Sequence, residues 1–462
     1  MDYHLKYLKY KQKYVELKTK SYGDNTDNID FFFNFNTSKK KIIQKYQYFL
    51  NLKLIKPPFK LIGKPSSNGF VNAINFKNIK DDNIFKTVLK TTVKKSSDNN
   101  YYEYVVGKCI NKFKRYYPNF IYTFNYLILN ETLKQKLQNS KEYNDINYMI
   151  ANSNIINLNR KDLQNNINIG NGCKNNNRSS VLIEFIPNGL SLDELLKDSI
   201  FKNRLAYFNI EIYNILFQLY FCLSGLKEVY THYDLHLDNV MFIKVPNNEK
   251  MQIDYNINGK KYSIYTSFIP VILDYGRSFI DCLKIDNILN SRIFAEIVCN
   301  NPNCNLYKHP KCRAIEVGLV IEKNDNDIFS KQEDFYNINL RNKNESIDLR
   351  YLHNLMTQIP NETSIKKIYN EYFNKEKDWI NKDIYGKVKT DEKGTPIIAY
   401  GVKENLSNID QTKNISNTTD CLRWLISLYS KIYYINLESK IYGVMKIHHN
   451  VNDKIKWTFE KK

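Results

Sequence analysis

The hydrophobic positions in the first half of the chain predict a small sheet and a helix. Residues 59–76 follow the pattern of a strand, a glycine-containing turn and a second strand, and residues 84–92 predict a third strand of β-branched and apolar side chains. A helical spacing occupies residues 101–113, and the apolar run 180–186 predicts a buried strand. Residues 139–179 are rich in Asn and weakly periodic, so we expect an insertion or long loop there.

Helical spacing dominates the second half of the chain. The longest helical pattern covers residues 204–229. Upstream of it, Ser191 is followed three residues later by Glu194, which is the spacing of a capping box at a helix start. Residues 277–462 also favour helices, with irregular polar stretches between them. At the opposite end, residues 1–20 alternate Lys with Tyr, Leu and Val, which predicts a short basic amphipathic helix.

Two strand-like runs interrupt this helical half. Residues 251–255 and 261–267 are joined by a turn that contains Asn258 and Gly259, a pair that favours a β-hairpin. The next apolar run ends in residues 271–276, VILDYG. We therefore expect a hairpin, followed by a further strand with an acidic residue at its end.

Composition constrains the function only weakly. The chain has 462 residues, of which 42% are hydrophobic, enough for one large two-part domain or two ordinary ones. Its formal net charge of +20 would suggest a nucleic-acid partner or a membrane surface. However, Lys, Asn, Ile and Tyr are abundant along the whole chain, as in proteins of very AT-rich genomes. A charge excess of that origin is diffuse, so we expect no specific nucleic-acid partner.

The cysteines and the apolar runs predict a soluble intracellular protein. Most cysteines are scattered and several lie in apolar runs, which suits a reducing compartment better than a disulfide framework. No apolar run reaches the roughly 18 to 20 residues needed to span a bilayer, and the first residues lack the apolar core of a secretory signal. The eight cysteines are Cys109, Cys173, Cys222, Cys282, Cys299, Cys304, Cys312 and Cys421.

The candidate chemistry lies in residues 232–239, HYDLHLDN, between the longest helical pattern and a strand. Asp234 can accept or orient the proton of an attacking hydroxyl, and Asn239, five residues later, can hold magnesium on a transferred phosphate. Asp274, at the end of the later strand, supplies a second oxygen ligand for the same metal. The sequence therefore predicts a phosphoryl-transfer centre.

At these positions the sequence resembles protein kinases. The kinase catalytic-loop signature H-R-D-L-x-x-x-N is matched at His232, Asp234, Leu235 and Asn239. Asp274 with the following Tyr and Gly resembles the D-F-G element, with Tyr in place of Phe. The resemblance implies an α+β, two-lobed protein-kinase-like fold, in which a small antiparallel β-sheet N-lobe carries one key helix and the C-lobe is mainly helical.

The resemblance also implies a nucleotide site. Lys90 ends a run similar to V-A-I-K and would contact the phosphates, while Glu103 would pair with it. Lys86, Lys94 and Lys95 are rivals without the V-x-K context. Pro65 occupies the usual middle glycine of the phosphate loop, which puts the backbone contacts of that loop in doubt. The implied ATP-binding residues are Gly63, Gly69, Val71, Lys90, Glu103, Glu184 and Ile186, the last two through the backbone of the hinge.

The resemblance covers residues 59–356 and is closest to serine/threonine-type kinases of giant, mimivirus-like DNA viruses. It implies that Asp348 is a buried anchor of the catalytic loop, with His232 as a structural neighbour, and that the protein acts in the host cytoplasm, the viral factory or the virion. The implied domains are an N-terminal helical leader (1–56), an N-lobe (57–187) with the Asn-rich insertion, and a C-lobe (188–462) with a hairpin insertion (246–270) and a Cys/His-containing activation segment (277–346).

Three departures from the kinase pattern affect the prediction. Tyr233 replaces the usual arginine, so we expect no cation beside Asp234 and no need for a phosphorylated activation loop. His236 replaces a lysine, as in small-molecule kinases of the aminoglycoside and choline families, or serves only the structure of the loop. The activation segment has a C-x4-C-x4-H-x2-C array that either binds Zn²⁺ or has free thiols. Its members are Cys299, Cys304, His309 and Cys312.

The sequence thus predicts a monomeric serine/threonine-type protein kinase. It would use ATP with Mg²⁺, or Mn²⁺ as an alternative, and its partners would be proteins with Ser or Thr hydroxyls. Asp234, Lys90 and Asn239 are the candidate catalytic residues, and Asn239 and Asp274 the candidate metal ligands. The alternatives are a pseudokinase scaffold that binds nucleotide or partner proteins without turnover, and a small-molecule phosphotransferase.

Overall fold

The computed structural model describes part of the chain. The predicted leader helix, nearly all of the Asn-rich insertion and the Cys/His array lie outside the described residues. The described residues are 55–62, 69–77, 84–92, 99–114, 116–128, 179–186, 189–197, 205–281, 343–372, 415, 417–432, 440–449 and 457–462.

The chain forms two compact units, and the first contains an antiparallel sheet with one helix. The strand order is β1-β2-β3-β5-β4. These elements are β1 (Ile55–Ile62), β2 (Gly69–Lys77), β3 (Ile84–Thr92), α1 (Asn99–Phe113), β4 (Thr123–Ile128) and β5 (Ser179–Glu184). The strands and the helix predicted from hydrophobic spacing for this part of the chain are confirmed, with ends that differ by a few residues.

Strand β3 is central because both of its faces are covered. Thr87, Leu89 and Thr91 are buried on one face and Val88 is buried on the other, which explains the nearly continuous run of β-branched and apolar residues. Helix α1 is attached to the edge strand β4 by the Asn111 amide, which donates to Thr123 O at 2.6 Å and accepts from Thr123 N at 2.9 Å.

Helix α1 also approaches β4 very closely at Gly107. A Cβ atom at this position would lie 2.1 Å from Thr123 Oγ1, closer than any real contact. Glycine at position 107 therefore sets the distance between the helix and the sheet.

The second unit contains five helices and nine strands among the described residues. Its strands form a sheet of order β10-β9-β13-β14, a sheet of order β11-β8-β6 and the pair β12-β7. The helices are α2 (Leu192–Lys197), α3 (Leu205–Gly225), α4 (Arg350–Gln358), α5 (Ser364–Tyr372) and α6 (Thr418–Ile432). The strands are β6 (Gly189–Leu190), β7 (Tyr230–Thr231), β8 (Val240–Lys244), β9 (Lys250–Ile257), β10 (Lys260–Thr266), β11 (Phe268–Ile272), β12 (Phe279–Ile280), β13 (Ile441–His449) and β14 (Thr458–Lys461).

Helix α3 is the core of the second unit. Residues 208–223 are all buried, so polar side chains on this helix need partners inside the protein. Gln218 donates to Phe268 O at 3.0 Å. The Glu211 carboxylate accepts from Lys250 Nζ at 2.8 Å and from Thr266 Oγ1 at 2.8 Å. These contacts fix the hairpin and β11 against the helix.

Two local sequence predictions for the second unit are confirmed. The capping box before α2 is formed, since Ser191 N donates to Glu194 Oε2 at 2.7 Å and Glu194 N donates to Ser191 Oγ at 3.4 Å. The β9–β10 hairpin turns through Asn258 and Gly259, which both have positive φ, 51° and 76°. Two positive φ values in succession are typical of a type I′ turn.

The expectation of a mainly helical C-terminal part is wrong at its end. Strand β13 pairs in parallel with β9, and β14 pairs with β13. The hairpin is therefore one half of a four-stranded sheet. Aromatic rings from α3 pack beneath it, with the Phe221 and Tyr255 centroids 4.6 Å apart. The short apolar run of β13 fits a strand or a helix equally well, and β14 (TFEK) has only one apolar residue, so periodicity could not identify either strand.

The described cysteines are all buried. Cys222 and Cys421 are free thiols, whereas Cys109 is disulfide-bonded, a bond that the preference for a reducing compartment did not anticipate. Within the described segments, no helix has the length and hydropathy to cross a membrane.

The hairpin turn provides a test of the fold. Gly259→Ala places a Cβ at φ 76°, so we expect it to lower the free energy of unfolding by about 1 kcal/mol. Asn258→Gly is the matched control, since glycine adopts the neighbouring positive φ freely and should change stability by no more than about 0.5 kcal/mol. Denaturant unfolding would measure both, and an equal loss in the two variants would contradict the turn geometry.

Candidate active site

The candidate catalytic loop joins β7 to β8 within the second unit. His232 is fully buried, and its Nδ1 accepts from Asp234 N at 3.3 Å while its Nε2 lies 2.8 Å from Leu273 O. Burial lowers the pKa of His232, and a neutral ring with its proton on Nε2 satisfies both contacts. The imidazole thus connects the loop to the segment that carries Asp274.

The side chain of Asp348 holds this loop by accepting hydrogen bonds from two backbone N–H groups of the loop. One carboxylate oxygen accepts from His232 N at 2.8 Å and the other accepts from Tyr233 N at 3.0 Å. Tyr233 has a φ of 63°, and a left-handed residue lets successive N–H groups converge on one acceptor. The left-handed turn at Tyr233 and the buried carboxylate of Asp348 therefore depend on each other.

Burial raises the pKa of the Asp348 carboxyl to about 7, and the two N–H donors oppose that rise. The folded chain therefore keeps a proton on Asp348 over a pH range in which the unfolded chain has released it. This proton contributes stability that is complete below about pH 4 and is lost as the pH rises towards 7.

Asn239 is fixed at the far end of the loop. Its side-chain amide nitrogen donates to Asp234 O at 2.8 Å, which orients the side chain. The backbone carbonyl of Asn239 accepts from Leu273 N at 2.9 Å. Leu273 thus bonds to His232 on one side and to Asn239 on the other. The residue before Asp274 is therefore hydrogen-bonded to both ends of the loop that carries Asp234.

Asp274 has left-handed backbone, with φ 59° and ψ 73°, at the end of β11. A short 3₁₀ turn, Tyr275–Arg277, follows it. Tyr275 is buried, and its hydroxyl donates a hydrogen bond to Ile272 O at 3.2 Å, which fixes the turn to the end of β11. Asp234 and Asn239 are therefore hydrogen-bonded within one loop, and Asp274 directly follows Leu273, whose backbone is hydrogen-bonded to that loop.

The expectation that no cation lies beside Asp234 is wrong. Arg277 Nη1 lies 3.3 Å from Asp234 Oδ2, and Arg350 Nη1 lies 3.2 Å from Asp234 Oδ1. Each carboxylate oxygen thus receives a charge-assisted hydrogen bond. Sequence reasoning missed both arginines because it considered only the position of Tyr233. The signal was nevertheless present, since Arg277 follows the Asp-Tyr-Gly element and Arg350 follows Asp348 by two residues.

His236 has a local structural contact. Its Nδ1 accepts from Asp238 N at 3.2 Å and so begins the 3₁₀ turn Leu237–Asn239. Its Nε2 lies 4.0 Å from Asp234 Oδ2, with the imidazole partly exposed.

The predicted nucleotide residues lie in the first unit. Lys90 is directly opposite Val71 of β2 and Val181 of β5 in the sheet register. Its Nζ lies 2.7 Å from Glu103 Oε2. The Glu103 side chain is 4% exposed and that of Lys90 is 28% exposed, so the ion pair is open to solvent on the lysine side.

The predicted hinge is at the end of β5. Glu184 N donates to Tyr122 O at 2.8 Å, and Glu184 Oε2 accepts from Tyr122 N at 3.0 Å, so this residue is fixed to the segment before β4. Ile186 is buried just beyond it. Gly69 is the first residue of β2, whereas Gly63 lies outside the described residues.

The sequence matches no protein-family model and no curated protein. Among solved structures it is similar to a crystal structure of the BubR1 kinase domain, with 16% identity, 55% of this chain and 63% of that chain covered, and a TM-score of 0.28. It is also similar to a crystal structure of the PF14_0431 kinase domain, with 18% identity, coverages of 54% and 59%, and a TM-score of 0.24. The chain spans about three fifths of the length of each. Since TM-scores this low do not establish a common fold, the functional conclusion depends on the site geometry.

Asp348→Asn tests the anchor of the loop. An amide offers only one acceptor oxygen, so one buried N–H loses its partner, and we expect a loss of about 1–3 kcal/mol in unfolding free energy. Because only the wild-type side chain titrates, the difference in stability between the two proteins should shrink from about pH 4 to about pH 7. Urea unfolding at several pH values measures it. A difference that grows with pH would mean that the N–H donors outweigh burial.

Proposed function

We propose that this chain is an ATP- and magnesium-dependent phosphotransferase of protein-kinase type, which transfers the γ-phosphoryl group of ATP to Ser or Thr hydroxyls of proteins. The observation that carries the proposal is the connection of Asp234, Asn239 and the Asp274 turn through Leu273. An orienting carboxylate next to two oxygen-bearing metal ligands is the arrangement that phosphoryl transfer requires.

Asp234 orients the acceptor hydroxyl in this proposal. A carboxylate has about four lone-pair sites, so each oxygen can accept from the hydroxyl while it keeps its arginine. The arginines spread the negative charge, which suits a group that aims the hydroxyl more than it removes the proton. A loose transition state for phosphoryl transfer needs little assistance from a base.

The donor set near Asp274 fits magnesium. The Asn239 amide oxygen and the Asp274 carboxylate are hard oxygen ligands, and Mg²⁺ in such enzymes typically uses one or two protein ligands together with substrate phosphates. Within the described residues, no group of three or more His, Cys, Asp and Glu side chains is arranged for a metal, which is compatible with a site completed by the nucleotide. Bound magnesium would neutralise charge on the transferred phosphate.

Lys90 is assigned to the nucleotide phosphates. Glu103 is nearly fully buried and holds the ammonium by an ion pair, which leaves the lysine head partly exposed. In the hinge, the Glu184 N–H is used inside the first unit, so the proposed adenine contacts come from the Glu184 carbonyl and the Ile186 backbone.

Individual residues favour the proposed activity over the two alternatives, a scaffold without turnover and a small-molecule phosphotransferase. A scaffold without turnover has no chemical need for Asp234, Asn239 and Asp274 together, and the hydrogen bonds of Leu273, the residue before Asp274, to the loop of Asp234 and Asn239 favour catalysis. The small-molecule alternative depended on His236, whose ring nitrogen already has a structural role at the start of a 3₁₀ turn. We therefore retain protein hydroxyls as the proposed acceptors.

Asp234→Asn tests the catalytic proposal. We expect kcat for phosphorylation of a generic protein substrate to fall by about 10²- to 10⁴-fold, and Asp274→Asn should raise the magnesium concentration needed for activity. Transfer of labelled phosphate from ATP measures both. Asp238→Asn makes the same chemical change on the same loop at a side chain that is 44% exposed, and should retain activity. Unchanged activity in Asp234→Asn would refute the assignment, and transfer only to aminoglycosides or choline would refute the substrate class.

Lys90→Met tests the assignment of Lys90 to the nucleotide through ATP binding alone, with no phosphoryl transfer required. Loss of a charge-assisted contact with phosphate should weaken ATP binding by about 10- to 100-fold, as measured by isothermal titration with Mg²⁺ present. Lys86→Met is the matched control, because Lys86 lies on the same face of β3 and its Nζ is 4.2 Å from the centre of the Phe185 ring. Equal weakening by both substitutions would show that general charge, not Lys90, binds the nucleotide.

A further inference from the structure

Arg277 belongs to the same segment as the candidate metal ligand Asp274. It ends the 3₁₀ turn that begins after Asp274. Immediately afterwards, Ser278 Oγ donates to His232 O at 3.2 Å, and β12 pairs with β7. Leu273 before Arg277 and Ser278 after it are therefore both hydrogen-bonded to the catalytic-loop segment, so the Arg277 guanidinium extends from a fixed base.

The two arginines bind different oxygens of Asp234 and come from different segments. Arg350 is the first residue of α4, two residues after the anchor Asp348, and its side chain is 11% exposed. Arg277 comes from the metal-ligand turn and is 25% exposed. The Asp234 side chain itself is 15% exposed, so little water is available to replace either cation.

These contacts leave Asp234 with little freedom. Its backbone N–H donates to His232, its backbone carbonyl accepts from Asn239, and each carboxylate oxygen accepts from one arginine. Of these contacts, only the Arg277 contact links the side chain of Asp234 to the turn that carries the metal ligand. A change in that turn would therefore alter the orientation of the carboxylate.

We infer that Arg277 is a positioning residue that couples the Asp274 turn to the orientation of Asp234. The inference rests on the proposed function. Through Arg277, Asp234 is aimed at the acceptor hydroxyl when the metal-ligand turn has the conformation described above. Arg350 holds the other oxygen from the anchored helix, so rotation of the carboxylate requires the Arg277 contact to break.

The test is a double-substitution cycle on phosphoryl transfer from ATP to a generic protein substrate. Arg277→Gln should lower kcat by about 10- to 100-fold, since small misplacements of a reacting group can cost that much, and should change the KM for ATP by less than about twofold. Arg277→Lys, which keeps the charge but not the planar fork, should recover part of kcat. In the Asp234→Asn background, Arg277→Gln should lower the residual rate by less than about twofold.

Arg423→Gln is the matched control, because Arg423 is 75% exposed and pairs with Asp420 on the same helix; it should leave kcat unchanged. Thermal unfolding verifies that each variant is folded. Equal losses from Arg277→Gln with and without Asp234 would overturn the inference and assign Arg277 a structural role. Absence of magnesium-dependent transfer by the unaltered chain would instead refute the proposed function, and the inference with it. If the unaltered chain is active but the Arg277→Gln and Asp234→Asn substitutions lower kcat independently, only the role of Arg277 is refuted.

Discussion

The candidate site depends on one interaction, the acceptance of two successive backbone N–H groups by the buried carboxylate of Asp348. Without that acceptor, Tyr233 would have no compensation for its left-handed backbone, and the N–H groups of His232 and Tyr233 would be buried without partners. The position of His232 in turn determines where Leu273 is held, and hence where the segment of Asp274 begins. A single carboxylate thus organises two separate stretches of chain around a third, the loop of Asp234.

The predictions from sequence were accurate where a local rule decides the structure. The capping box of Ser191, the paired positive φ values at Asn258 and Gly259, and the strand that carries Lys90 all follow from a few neighbouring residues. Candidate loop residues could be named because their order along the chain follows a known pattern. Their mutual contacts could not, since Leu273 acts through its backbone and its side chain carries no signal.

The failures share a different cause, which is that they concern contacts between distant segments. Arg350 reaches Asp234 across more than a hundred residues, and no periodicity reports such a contact. The lack of an arginine at position 233 predicts no cation beside Asp234, whereas the protein supplies that charge from two other segments. The parallel pairing of β13 with β9 was missed for the same reason, because the two strands lie far apart in the chain and neither pattern identifies the other as its partner.

The parallel pairing of β13 with β9 has a consequence for biogenesis. Residues 250–257 emerge from the ribosome long before residues 441–449. The β9 edge of the hairpin therefore has no partner strand while the intervening chain is synthesised. Long-range strand pairing of this kind slows folding, and an open edge invites association with other nascent chains. In the folded protein the opposite edge is covered at Ser263, because the Tyr429 hydroxyl bonds both backbone groups of that residue. Yet Tyr429 also lies late in the chain, so neither edge of the hairpin is protected during most of translation.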